Sequence, residues 1–245
     1  MLHSINTLPT HLVVGVGKSG TSWIWKQMQE YEEISTSAIK EVHFFNKNLK
    51  KGIDWYKSQF KPNKIIVDNS PDYFSCGDAS RIKNCLPNSK IMVCLRNPIE
   101  RAFSQYKYHR FIKIINLNYK FIDVWKSNIF RIKTLSNYSK SLTEYNLLFR
   151  DHFTTVFYDD LKNDPDSFIS SICNFLGVDK KKSKYDSTTW MPRINNDPDK
   201  LKEYNEINKN LHLSEVDRNL LIDFYRDDIL RTSKITNRDL SSWLL

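Results

Sequence analysis

The sequence predicts an α/β fold, a central and mainly parallel sheet flanked by helices. Three observations carry that expectation. Short apolar runs alternate with stretches of helical periodicity along the chain. The first run, Leu12 to Val16, passes through a glycine-rich turn into Trp23, Ile24, Gln27 and Met28 at helical spacing. The run from Lys90 to Leu95 ends in Arg96-Asn97-Pro98-Ile99-Glu100, which reads as a helix start. Connections in such folds place ligands beyond the carboxyl ends of the strands.

Taken in order, the elements follow from local chemistry. After the first helix, Ile34 to Thr36 reads as a short strand, and Lys51 to Phe60 opens a short helix. Lys64 to Asp68 is a strand followed by the turn Asn69-Ser70-Pro71-Asp72-Tyr73-Phe74, and Ala79 to Leu86 is helical. Beyond the strand 90–95, Asn97 is the N-cap, Pro98 takes the first helical position and Glu100 completes a capping box. That helix runs to about Arg110. Phe121 to Phe130 and Leu142 to Arg150 are further helices, and Phe153 to Phe157 a further strand. Asp164-Pro165 caps a helix with Phe168, Ile172, Phe175 and Leu176 on one face, ended by Gly177. Lys184 to Leu201 reads as a long loop, and Ser214 with Asp217 caps a final helix.

Composition narrows the function. A chain of 245 residues with 40% hydrophobic content can bury a real core. The net charge of +9 favours an anionic partner. The lysines are scattered, with only Lys180-Lys181-Lys182 as a run, so no basic nucleic-acid arm is expected. No signal peptide and no membrane span are read. Cys76, Cys85, Cys94 and Cys173 lack metal-ligand spacing and read as reduced thiols of a cytoplasmic protein.

The turn Gly15 to Ser22 is an anion trap in the making. The first amides of a helix lack internal partners and carry the positive end of the dipole, which suits a phosphate. A Walker A loop would need glycine where Leu12 stands, whereas Gly15, Gly17 and Gly20 match a dinucleotide fingerprint loosely. Arg96 at a strand end and Ser104 two helical turns on are candidates for a second phosphate. Glu41 and His43 put a carboxylate and an imidazole beside two aromatics.

These segments together resemble the sulfotransferases that use 3′-phosphoadenosine 5′-phosphosulfate. They are most similar to the heparan sulfate branch, meaning the N-sulfotransferase and 3-O-sulfotransferase domains. The motifs are Gly17-Lys18-Ser19-Gly20-Thr21-Ser22, Glu41-Val42-His43-Phe44-Phe45-Asn46, Lys51-Gly52-Ile53-Asp54-Trp55-Tyr56, Ser70-Pro71-Asp72-Tyr73-Phe74 and Arg96 through Tyr106. The resemblance is dense from Val13 to Arg110 and implies one sulfotransferase domain over residues 1–245 with a P-loop-like fold. It implies that Lys18 contacts the bridging oxygen and sulfonate. Gly17, Ser19, Gly20, Thr21 and Ser22 would hold the 5′-phosphate, and Arg96 and Ser104 the 3′-phosphate. Glu41 would be the general base, with His43 beside it as rival. It implies no metal and an acceptor hydroxyl or amine, on a glycan or a smaller molecule.

The chain departs from that branch in four places. Asn69 stands where the 3-O-sulfotransferases carry a lysine, and Asn46 where they carry an aspartate. Their disulfide loop and C-terminal Lys-Gly-Arg clamp are not recognisable, and Arg193 is assigned to close over the nucleotide instead. Two other readings remain. One is a P-loop kinase-like phosphotransferase with Asp68 on magnesium; the other is a basic binding protein without catalysis.

Overall fold

The computed structural model describes residues 7–76, 78–181 and 197–245. Five strands form one sheet in the order β2-β3-β1-β4-β5, every neighbouring pair parallel. They are β1 (His11–Gly15), β2 (Ile34–Thr36), β3 (Ile65–Asn69), β4 (Lys90–Leu95) and β5 (Phe153–Phe157). The helices are α1 (Thr21–Met28), α2 (Gly52–Ser58), α3 (Ala79–Cys85), α4 (Pro98–Phe111), α5 (Phe121–Lys126), α6 (Ser139–Phe149), α7 (Tyr158–Asn163), α8 (Pro165–Leu176), α9 (Pro198–Asn208) and α10 (Glu215–Thr236). A π-helical turn over Phe44–Asn48 precedes α2.

The described residues of Met1–Leu95 and Glu144–Trp190 form one compact unit, and those of Arg96–Thr143 and Met191–Leu245 a second. In the first, alternate residues of the strands (Val13; Ile65 and Val67; Met92 and Cys94; Val156) face one layer. Onto it pack Trp23, Ile24 and Met28 of α1, and Phe168, Ile169, Ile172, Phe175 and Leu176 of α8. The intervening Leu12, Val14, Ile66, Ile91 and Val93 are buried as well. Strands apolar on both faces are the signature of a covered parallel sheet. In the second unit Arg101 is buried; its Nε donates to the Ser136 hydroxyl at 2.6 Å and a terminal nitrogen to the Ile132 carbonyl at 2.8 Å. Trp125 Nε1 donates to Tyr225 Oη at 2.9 Å, fastening α5 to α10.

Most boundaries match expectation, and the differences have local causes. Phe121 to Phe130 stops being α-helical at Lys126, because Asn128 and Phe130 take left-handed φ of 53° and 55°. Glu100 does not close a capping box: Asn97 accepts the Ile99 and Glu100 amides, while the Glu100 carboxylate accepts from Arg218 at 2.9 Å. The expected loop 184–201 is partly helix, since α9 begins at Pro198 with Asp197 accepting the Asp199 and Lys200 amides. All four cysteines are thiols rather than disulfides. No helix among the described residues is long and apolar enough to cross a membrane.

Candidate active site

Between β1 and α1 the chain makes the expected phosphate-type loop. Lys18 holds a left-handed φ of 74°, the Ser19 amide donates to the Val16 carbonyl at 3.2 Å, and Gly20 turns into α1 with φ 82°. Gly20 offers α1 no side-chain cap, and the first turn of α1 carries no acid. The opening amides of α1 are therefore left for an anion. Ser19 is fully buried, yet its hydroxyl has no hydrogen-bond partner among the described residues. An orphaned buried hydroxyl calls for an explanation, and a bound oxyanion supplies one. A Cβ on Gly17 would meet open space, so the backbone there is approachable. Gly15 does something else: a Cβ there would lie 2.7 Å from Cβ of Phe74. It is a packing glycine rather than part of the cradle.

The segment after β2 carries the acid–base groups. Glu41 and His43 both hold left-handed φ, 66° and 52°, on either side of buried Val42. His43 Nε2 lies 3.4 Å from a Glu41 carboxylate oxygen, and Nδ1 lies 3.8 Å from Asp72. Glu41 also pairs with Lys40. Lys47 Nζ sits 3.4 Å from His43 Nε2 and 3.2 Å from Asp72. Asn46 keeps both side-chain amide atoms buried without a hydrogen-bond partner among the described residues.

Beneath this segment lies Asp68, at the end of β3 and fully buried. Its carboxylate accepts hydroxyl protons from Tyr56 (2.7 Å), Ser70 (2.6 Å) and Tyr73 (3.0 Å). Burial pushes this carboxyl up, and the three donors oppose that shift. With its oxygens taken, Asp68 is not placed to ligate magnesium, which removes the kinase-like role given to it from the sequence. Next to it, Asn69 Nδ2 donates to the Thr21 carbonyl at 2.7 Å. The adjacent Ser70 hydroxyl accepts the His43 amide at 3.1 Å. Two consecutive residues thus join the α1 turn to the Glu41–His43 segment.

In the second unit, Arg96 follows β4 directly, and its carbonyl accepts from Tyr138 Oη at 2.8 Å. Ser104 lies partly exposed on α4. One turn further on, Lys107 shares that face. Burial first, and then the positive charge of Arg96, hold the Lys107 ammonium below its ordinary range, with Glu100 pulling the other way. Lys107 also lies over the Phe103 ring at 4.8 Å. Its closeness to Arg96 escaped the sequence reading, although its spacing of three from Ser104 was the available signal. The Asp68 cluster was likewise missed, since nothing in the spacing of Tyr56, Asp68 and Tyr73 announces it. Arg193 lies outside the described residues. No cluster of three or more His, Cys, Asp or Glu suited to a metal occurs among the described residues.

Comparison with known proteins identifies the family. Residues 8–212, well over half of the chain, match the sulfotransferase domain model. The chain is 33% identical over 108 residues to the membrane-associated sulfotransferase kil1 of Dictyostelium discoideum, covering 41% of this chain and 23% of that protein. It is 26% identical over 271 residues to the mouse bifunctional heparan sulfate N-deacetylase/N-sulfotransferase 4, covering 97% of this chain and 31% of that one. The chain thus spans less than a third of the length of these curated relatives. Among solved structures, a sulfotransferase from Alicyclobacillus acidocaldarius aligns with a TM-score of 0.79 at 22% identity, over 96% of this chain and 98% of that one. Mouse sulfotransferase SULT7A1 complexed with PAP aligns with a TM-score of 0.51 at 15% identity, over 91% of each. These two show the shared fold. An uncapped helix start with an orphaned serine, a lysine before it and a buttressed carboxylate–imidazole pair stand inside a matched domain of known kind: the chain belongs to the sulfotransferase family.

Proposed function

We propose that this chain, acting as one sulfotransferase domain, moves the sulfuryl group of 3′-phosphoadenosine 5′-phosphosulfate to a hydroxyl or amine of an acceptor. The observation that carries this reading is the loop before α1, with its uncapped amides, orphaned Ser19 hydroxyl and adjoining Lys18. The nucleotide supplies an activated sulfuryl group with a good phosphate leaving group. The protein's duties are then positioning, charge neutralisation and proton removal.

Gly17, Ser19, Gly20, Thr21 and Ser22 hold the 5′-phosphate with backbone amides and hydroxyls. Lys18 neutralises the charge that grows on the bridging oxygen, so the reaction asks for no metal. Arg96 and Ser104 take the 3′-phosphate, with Lys107 adding charge. Glu41 removes the acceptor proton, and His43, 3.4 Å away, holds or relays it. The names of the heparan sulfate relatives favour a glycan acceptor. Asn69 is buried and committed to Thr21, so Lys40 and Lys47 are the cations beside Glu41 and His43. Those two lysines would meet the acidic groups of such a glycan.

Calorimetric titration tests the reading. Adenosine 3′,5′-bisphosphate should bind without metal, whereas ATP with magnesium should bind far more weakly. The reverse order would replace sulfuryl transfer with phosphoryl transfer.

A further inference from the structure

Glu41 and His43 sit in a backbone conformation that ordinary residues avoid, and something must hold it. The hold comes from below. The His43 amide donates to the Ser70 hydroxyl at 3.1 Å, and the Phe44 amide to Tyr73 Oη at 2.7 Å. Each hydroxyl has a single proton. Because each accepts from an amide, each points its own proton at Asp68, Ser70 at 2.6 Å and Tyr73 at 3.0 Å. Asp68 is fully buried and receives a third proton from Tyr56 at 2.7 Å. Three hydroxyl donors converging on one carboxylate favour its charged form, so the whole relay is oriented by this one buried acceptor.

We propose that Asp68 is a positioning residue for the proton-accepting segment, its charge acting through the Ser70 and Tyr73 hydroxyls to fix the His43 and Phe44 amides and thereby aim Glu41 and His43. This rests on the transfer reaction proposed above. It goes beyond that reading by assigning work to Asp68, Ser70 and Tyr73, three residues that it leaves without a role.

Tyr56 provides the control. It donates to the same carboxylate and stacks on Phe44 at 4.3 Å, but no segment amide hangs from it. Tyr56→Phe, Tyr73→Phe and Ser70→Ala each remove one buried hydroxyl. Two readouts separate positioning from plain packing. The first is amide hydrogen exchange at residues 41–46 by NMR. The Phe44 amide should exchange at least roughly tenfold faster in Tyr73→Phe and the His43 amide similarly in Ser70→Ala, with Tyr56→Phe near the parent at both. The second is kinetics with the phosphosulfate donor and de-N-sulfated heparin as the probe acceptor. Here kcat should fall roughly ten- to a hundredfold in Tyr73→Phe and Ser70→Ala, with calorimetric binding of adenosine 3′,5′-bisphosphate unchanged and Tyr56→Phe within about threefold of the parent. Equal effects of all three variants on exchange, or none, would overturn the positioning role. A parent protein that binds the bisphosphate but transfers nothing to any of a panel of acceptors would count against the transfer reading alone, and the exchange data would still decide the role of Asp68.

Discussion

At the scale of single residues, the proposed chemistry reduces to a carboxylate, a lysine and a phosphate clamp. Glu41→Gln keeps the shape of the base but not its basicity. It should lower kcat by about 10²–10⁴-fold while binding adenosine 3′,5′-bisphosphate as tightly as the parent, measured by radiolabelled transfer and calorimetry side by side. If activity survives, the base role moves to His43, whose Nε2 lies 3.4 Å from the Glu41 carboxylate. Lys107→Ala should weaken the bisphosphate roughly tenfold, as expected for one lost charge-assisted contact, and should flatten the salt dependence of binding. An unaltered affinity would limit the 3′-phosphate site to Arg96 and Ser104. The motif residues were legible because phosphate loops are built from consecutive residues, and neighbours in sequence are neighbours in space. Lys107 and Asp68 were not, because their meaning depends on which side chains the folded chain brings alongside.

At the scale of elements, strands were easier to read than the pieces between them. All five appear within a residue or so of the expected runs; the central β1, β3 and β4 read most clearly, since a strand covered on both faces is largely apolar. Helix starts were legible where a capping residue precedes proline. Asn97-Pro98 and Asp164-Pro165 were read that way, whereas Asp197-Pro198, the same signal, was passed over because the stretch before it lacks periodicity. The π-helical turn at Phe44–Asn48 has no sequence signature of comparable strength. Gly15 shows how a motif match can mislead. It fits a nucleotide fingerprint, yet its missing Cβ makes room for Phe74. Gly15→Ala should therefore destabilise the protein by about 1–3 kcal/mol through overpacking in urea unfolding. Gly17→Ala meets no protein atom within 4 Å, so it should leave stability nearly intact and act on nucleotide binding instead.

At the scale of the whole molecule, stability carries a pH signature from one buried imidazole. His11 in β1 is buried against Phe175, with ring centroids 5.1 Å apart. Burial, and then the charge of Lys90, pull its pKa down from 6.5 to about 4. The folded state binds this proton less readily than the unfolded chain. Its contribution to stability is therefore intact above about pH 6.5 and is lost progressively as pH falls toward 4. Integrated over that interval, the loss is roughly 3 kcal/mol. Urea unfolding at pH 7 and pH 4.5 should show a steep decline for the parent and a shallower one for His11→Asn; parallel declines would move the acid sensitivity to other groups. The net charge of +9 belongs to this scale too. Capture of a polyanionic acceptor should weaken with added salt even where no single contact is lost.

The two-residue tie of Asn69 and Ser70 has a kinetic consequence. One residue grips the first turn of α1, and its neighbour grips the backbone at His43. Whatever steadies the first turn on nucleotide binding is passed along a single peptide link to the group that meets the second substrate. For the transfer proposed above, the donor should prime the site for the acceptor, and the two should add in a fixed order. Cutting the tie with Asn69→Ala, a fully buried residue, should turn ordered initial-rate patterns toward random ones.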